Sequence, residues 1–105
     1  MMTQEERIRY YESMLREADL ALSGYEDALE AFCDAWELLV KLNRYYGSPD
    51  WWQDFDDSEM GRIKQNCGVL SEDGIWDLLG YGRELLAESK ARLAQLPAVG
   101  QPRED

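Results

Sequence analysis

Apolar and small residues recur at Ile8, Tyr11, Leu15, Ala18, Leu22, Tyr25, Leu29, Phe32, Trp36 and Leu39, in steps that alternate three and four without a slip. A seam that holds this phase over so many turns marks an amphipathic helix with one continuous face for a partner. Thr3-Gln4-Glu5-Glu6 just before it reads as a capping box, in which the Thr3 hydroxyl accepts from the Glu6 amide. Acids at that end also suit the helix dipole. The expectation is one helix from about residue 3 to about residue 45. Ser23-Gly24 interrupts the composition but not the phase. Glycine inside a helix costs about 1 kcal/mol relative to alanine, and it could instead mark a turn between two shorter helices. A turn would normally reset the seam, whereas Leu22 and Tyr25 keep it.

The seam runs into Tyr45-Tyr46-Gly47-Ser48-Pro49-Asp50-Trp51-Trp52-Gln53-Asp54-Phe55-Asp56-Asp57. Gly47 and Pro49 read as a helix stop, so the stretch is expected to be an aromatic, acidic loop. Asp57 to Asn66 reads as irregular, with at most a short helical turn. Ser71 is a good N-cap with Glu72 and Asp73 behind it. The helix it opens, from about residue 72 to residue 95, carries Ile75, Leu79, Gly82, Leu86, Ser89, Leu93 and Leu96, again stepping by four and three. Trp76, Leu78 and Leu85 widen that face, and Gly82 and Ser89 would admit a close helix neighbour. Pro97 ends it, and residues 97–105 read as a frayed tail. The expected fold is all-α in a single domain over residues 1–96: a long helix, the loop, and a returning antiparallel helix. The hairpin becomes a three-helix bundle if the first helix breaks at Ser23-Gly24.

Lengths bear on assembly. The first helix would span roughly 63 Å and the second roughly 36 Å, so the second can cover only the C-terminal part of the first. Ile8, Tyr11, Leu15, Ala18 and Leu22 would then lack an intramolecular partner. An exposed apolar stripe of that length normally has one, and an antiparallel pairing with a second copy closes it symmetrically. A homodimer is expected.

Eleven Lys and Arg against 22 Asp and Glu give a formal net charge of −11. Such a surface repels nucleic acid phosphates and anionic lipid heads, so neither direct nucleic acid binding nor a membrane is expected. It suits docking on a basic patch of another protein. No apolar run approaches spanning length, and Met1 to Glu6 lack the basic start and apolar core of a secretory signal, so the cytoplasm is the expected location. The two cysteines, Cys33 and Cys67, are expected to be reduced and buried, and without histidine or a CxxC pair a structural zinc site is nearly excluded.

Motifs for catalysis are missing: there is no histidine base, GxSxG elbow, phosphate-binding P-loop or dinucleotide fingerprint. A calcium loop starting at Asp54 would need glycine at its sixth position and glutamate at its twelfth, where Glu59 and Gln65 stand. Glu26, Glu30, Asp34 and Glu37 have a spacing that could bind magnesium, but Glu30, Asp34 and Glu37 point away from the seam, as a solvated face does. No cofactor or metal is expected. The aromatic set Tyr45, Tyr46, Trp51, Trp52, Phe55 and Trp76 is either a satellite core or an exposed patch ringed by Asp50, Asp54, Asp56 and Asp57. One of Trp51 and Trp52 is expected to be buried and the other at least partly exposed.

Tyr45-Tyr46-Gly47-Ser48, Trp51, Asp54-Phe55, and Gly68-Val69-Leu70-Ser71-Glu72-Asp73-Gly74-Ile75 with Asp77-Leu78-Leu79 resemble a bacterial family of small acidic helical proteins, catalogued as domain-of-unknown-function family 4298. The resemblance covers most of the chain, to about Leu96. It implies a bacterial cytoplasmic protein of helix–loop–helix order and brings no activity with it.

Taken together, the residues predict a non-enzymatic acidic helical module for protein–protein interaction. Tyr45, Tyr46, Asp50, Trp51, Trp52, Asp54, Phe55, Asp56 and Asp57 are its candidate partner-binding residues, and Ile8, Tyr11, Leu15, Ala18 and Leu22 its self-association residues. An alternative is a nucleic-acid-mimicking inhibitor of a nucleic-acid-binding enzyme, of the small phage or plasmid type. That role needs carboxylate rows at roughly the 7 Å spacing of phosphates, and Arg7, Arg9, Arg16, Lys41 and Arg44 interrupt the first helix. A carboxylate-based metal-dependent enzyme stands third.

Overall fold

The computed structural model describes residues 1–63, 68–71 and 73–100. The fold is all-α, with three helices, α1 (Gln4–Tyr45), α2 (Pro49–Glu59) and α3 (Gly74–Ala94), and a 3-10 turn at Gly68–Leu70. Among the described residues there is no strand.

At its N-terminus α1 is capped as the sequence suggests, with the Glu6 amide donating to the Thr3 hydroxyl at 3.2 Å. It continues through Ser23-Gly24 as one helix of 42 residues, so the alternative of two shorter helices is not the one that forms. It ends where Gly47 takes a φ of 76°, a left-handed conformation that glycine adopts without strain, and the Ser48 amide donates back to the Tyr45 carbonyl at 2.9 Å.

The stretch expected to be a loop is instead helical over Pro49–Glu59. Pro49 stops α1, and it also starts α2. At the first position of a helix proline's missing N–H would have had no partner, and its fixed φ is already helical. Ser48 supplies the N-cap, its hydroxyl accepting from the Trp51 amide at 3.2 Å, and Asp50 places an acid in the first turn.

The chain divides into two compact units, Met1–Leu38 and Leu39–Asp105. In the first every residue is solvent-exposed except Phe32 and Trp36, which are half-buried with ring centroids 5.9 Å apart. The second holds the core: Trp51, Ile75 and Leu79 are buried, and Leu39, Leu42, Tyr45, Tyr46, Phe55 and Leu70 pack around them. On α3 the expected stripe is buried at Ile75, Leu79 and Gly82, half-buried at Leu86 and exposed beyond. Ser89 is exposed and its hydroxyl donates to the Leu85 carbonyl at 2.7 Å, so it lines no close helix contact.

The start of α3 lies two residues later than expected. Asp73 is the N-cap by position but makes no side-chain cap bond. Ser71 does that work from further back: its hydroxyl accepts from the Gly74 amide at 2.9 Å and donates to the Gly68 carbonyl at 2.8 Å. Residues 97–100 have no regular structure, and the expected tail from 101 onward, like Lys64 to Cys67 and Glu72, lies outside the described residues.

Two glycines should therefore respond to alanine with opposite signs. A Cβ on Gly74 would collide with the Gly68 carbonyl oxygen and lie 2.6 Å from the Ser71 hydroxyl. Gly74→Ala is expected to destabilise by about 1–3 kcal/mol in urea unfolding. Nothing lies within 4 Å of a Cβ on Gly24. Gly24→Ala should raise helicity by circular dichroism and stabilise α1 by up to about 1 kcal/mol.

Candidate interaction face

Consecutive residues on a helix point about 100° apart, so Trp51 and Trp52 cannot both face the core. Trp51 is buried at 4% exposure and Trp52 stands out at 53%. Trp51 gives its indole N–H to the Val69 carbonyl at 2.8 Å. One turn on, Phe55 stacks against it at 5.2 Å and 15°, while Tyr46 meets it edge-on at 5.1 Å. Trp52 lies edge-on to Trp51 at 4.9 Å. Tyr46, Gly47, Trp51, Trp52 and Phe55 together line an open cleft of about 300 Å³. Both readings of the aromatic set thus hold for different members. Trp76, placed in that set by sequence, is exposed on α3 with the Arg83 guanidinium 5.9 Å from its ring centre, and it does not line the cleft.

Because α2 is a helix, its acids do not form a ring. Asp50, Asp54 and Asp57, at i, i+4 and i+7, share one face. There Asp54 accepts from the Tyr45 hydroxyl at 2.6 Å and Asp57 pairs with Arg62 at 3.1 Å. Trp52, Asp56 and Glu59 share the other face by the same spacing, and all three are exposed. Of the candidate acids, Asp54 and Asp57 are engaged within the fold, Asp50 is solvent-facing on their side, and only Asp56 stands beside Trp52. Glu59 was missed, because its i+7 relation to Trp52 has meaning only in a helix.

On α1, Ile8, Tyr11, Leu15, Ala18 and Leu22 are all exposed. Leu15, Ala18 and Leu22 line a shallow groove with Arg16 and Asp19. Glu26, Glu30, Asp34 and Glu37 are solvated. Cys33, expected to be buried, is free and exposed, because the helix surface around it is itself uncovered; Cys67 lies outside the described residues. Among the described residues no group of three or more His, Cys, Asp or Glu is arranged to hold a metal ion. Nor is any described helix long and apolar enough to cross a membrane.

The model for the family described as "Domain of unknown function (DUF4298)" matches residues 8–90. The chain belongs to that family. The match takes in most of α1, all of α2, the 3-10 turn and most of α3, so the DUF4298 region contains both the aromatic cleft and the core beneath it. No curated protein and no solved structure matches the chain.

The two tryptophans should separate cleanly on substitution. Trp51→Ala removes a buried aromatic and orphans the Val69 carbonyl, and is expected to cost about 3–5 kcal/mol in urea unfolding. Trp52→Ala should cost less than about 1.5 kcal/mol, since half of the ring is already in water.

Proposed function

We propose that this protein is a non-enzymatic interaction module that docks through the exposed face of α2 on a partner protein with a basic surface. The observation that carries the reading is Trp52, half-exposed at the lip of the aromatic cleft with Asp56 and Glu59 on its own face. An exposed indole beside carboxylates is complementary to an arginine. The guanidinium stacks on the ring, gaining about 0.5–2 kcal/mol, while its N–H groups reach the acids. The cleft is open and sits at the small end of the range of ligand pockets, which suits one inserted side chain rather than an enclosed substrate. The net charge of −11 steers a basic partner towards the protein from a distance.

Selection of a displayed peptide library on the immobilised protein tests this. Arginine-bearing sequences are expected, with binding that weakens as salt rises. Trp52→Ala, and Asp56→Asn with Glu59→Gln, should each lower affinity by about tenfold while leaving the protein folded under the binding conditions. Selected peptides without a basic consensus, or equal binding by Trp52→Ala, would count against the reading. If the protein instead displaces DNA from a DNA-binding enzyme, and Trp52→Ala does so as well as wild type, the nucleic-acid mimic takes its place.

A further inference from the structure

We propose that two copies of the chain pair through α1, side by side and antiparallel, over about residues 4–29. The argument is independent of the α2 face and rests on the surface of the unit Met1–Leu38. From Ile8 to Leu29 the seam is helical without a break and bare, with Leu15 at 65% and Leu22 at 69% exposure. Ile8, Tyr11, Met14, Leu15, Leu22 and Tyr25 expose on the order of 700 Å² per copy, so two copies bring about 1,400 Å², the size of a specific protein interface.

The seam is complementary to itself in reverse. In an antiparallel pair, first and fourth heptad positions of one helix meet fourth and first positions of the other. Setting Leu15 opposite Ala18 of the second copy brings Ile8 opposite Tyr25 and Tyr11 opposite Leu22, and the pattern closes on itself about a two-fold axis. Every seam position from Ile8 to Tyr25 then has a seam partner, and the two central layers each set a leucine against an alanine.

Charge selects this direction. Between Gln4 and Arg16 the helix balances Glu5, Glu6 and Glu12 with Arg7, Arg9 and Arg16. From Glu17 to Glu30 it carries Glu17, Asp19, Glu26, Asp27 and Glu30 and no base. Antiparallel pairing lays the balanced segment of each copy on the acidic segment of the other, whereas parallel pairing lays acid on acid. Detail agrees. Arg9 and Arg16 stand on the same edge of the seam as Glu12, Asp19 and Glu26. Reversal faces this edge with its own counterpart, at levels that put Arg9 near Glu26 of the second copy and Arg16 near its Asp19; the same levels bring Glu5 near that Glu26 and Glu12 near that Asp19, and the two arginines offset these acid pairs. The opposite edge, Arg7, Met14, Ala21 and Ala28, is apolar and mostly small beyond Arg7, which lets the two helices approach. The opposed helix dipoles add to the preference.

Sedimentation equilibrium of the full chain at tens of micromolar should give twice the chain mass of 12.2 kDa. Leu15→Glu puts a carboxylate in both central layers and should weaken pairing by about a hundredfold. An unchanged urea unfolding transition of the monomeric variant shows that the core beneath α2 is intact. Arg16→Glu should weaken pairing by about tenfold, and Arg16→Glu with Asp19→Arg should restore it. With Cys33 and Cys67 replaced by serine, Leu15→Cys should form a disulfide with Ala18→Cys in a mixture of the two chains and not with itself. A monomeric wild type at these concentrations, or Leu15→Cys linking to itself in preference, would overturn the proposal.

Discussion

The unit Leu39–Asp105 depends on one buried indole and the place it finds for its N–H. Tryptophan is costly to bury unless that donor is met, since an orphaned polar group forfeits about 1–3 kcal/mol. Trp51 meets it with the Val69 carbonyl at 2.8 Å, which pins the 3-10 turn beneath α2. The Ser71 hydroxyl then links the same turn to the first amide of α3. A short chain of polar contacts therefore runs from α2 to α3 around an apolar centre of Trp51, Ile75 and Leu79. The two blocks that carry the family resemblance, from Tyr45 to Phe55 and from Gly68 to Ile75, lie at the two ends of this chain.

The same geometry leaves one face of α2 outside the core. Its inner residues hold the core, its Asp54 and Asp57 are tied to Tyr45 and Arg62, and the face of Trp52, Asp56 and Glu59 carries none of these bonds. A partner can cover that face without disturbing what keeps the unit folded. Scaffold and candidate site are adjacent residues of one short helix, separated only by the turn of the backbone.

The seam made α1 legible to within a residue at its start, because ten positions in phase outweigh one glycine. The returning helix was equally plain, and its buried stripe begins at Ile75 as the spacing requires. The segment from Ser48 to Glu59 was misread for a definite reason: proline after glycine signals an end to the helix before it and a beginning to the helix after it, and only the first was used. That misreading carried over to the site, where acids taken as a ring belong to two faces and Glu59 was left out of the candidate set. The bond from Trp51 to Val69 had no signature at all, since any residue supplies a backbone carbonyl. Cys33 was expected inside because cysteine usually is; which face of a helix stays open depends on what packs there, and composition does not record that.

Every residue of the core cluster lies between Leu39 and Leu79. Closing that core brings together residues about forty positions apart, so it waits on the later ones. During synthesis they are not present together. At about 5–20 residues per second, some 2–8 seconds pass between the appearance of Leu38 and that of Leu79. At the start of that interval the emerging polypeptide is most of α1 alone, without the residues that form the core. Its acids keep it dissolved, and its seam is the one surface it can offer to whatever is nearby, including the same segment of a neighbouring nascent chain on the same message.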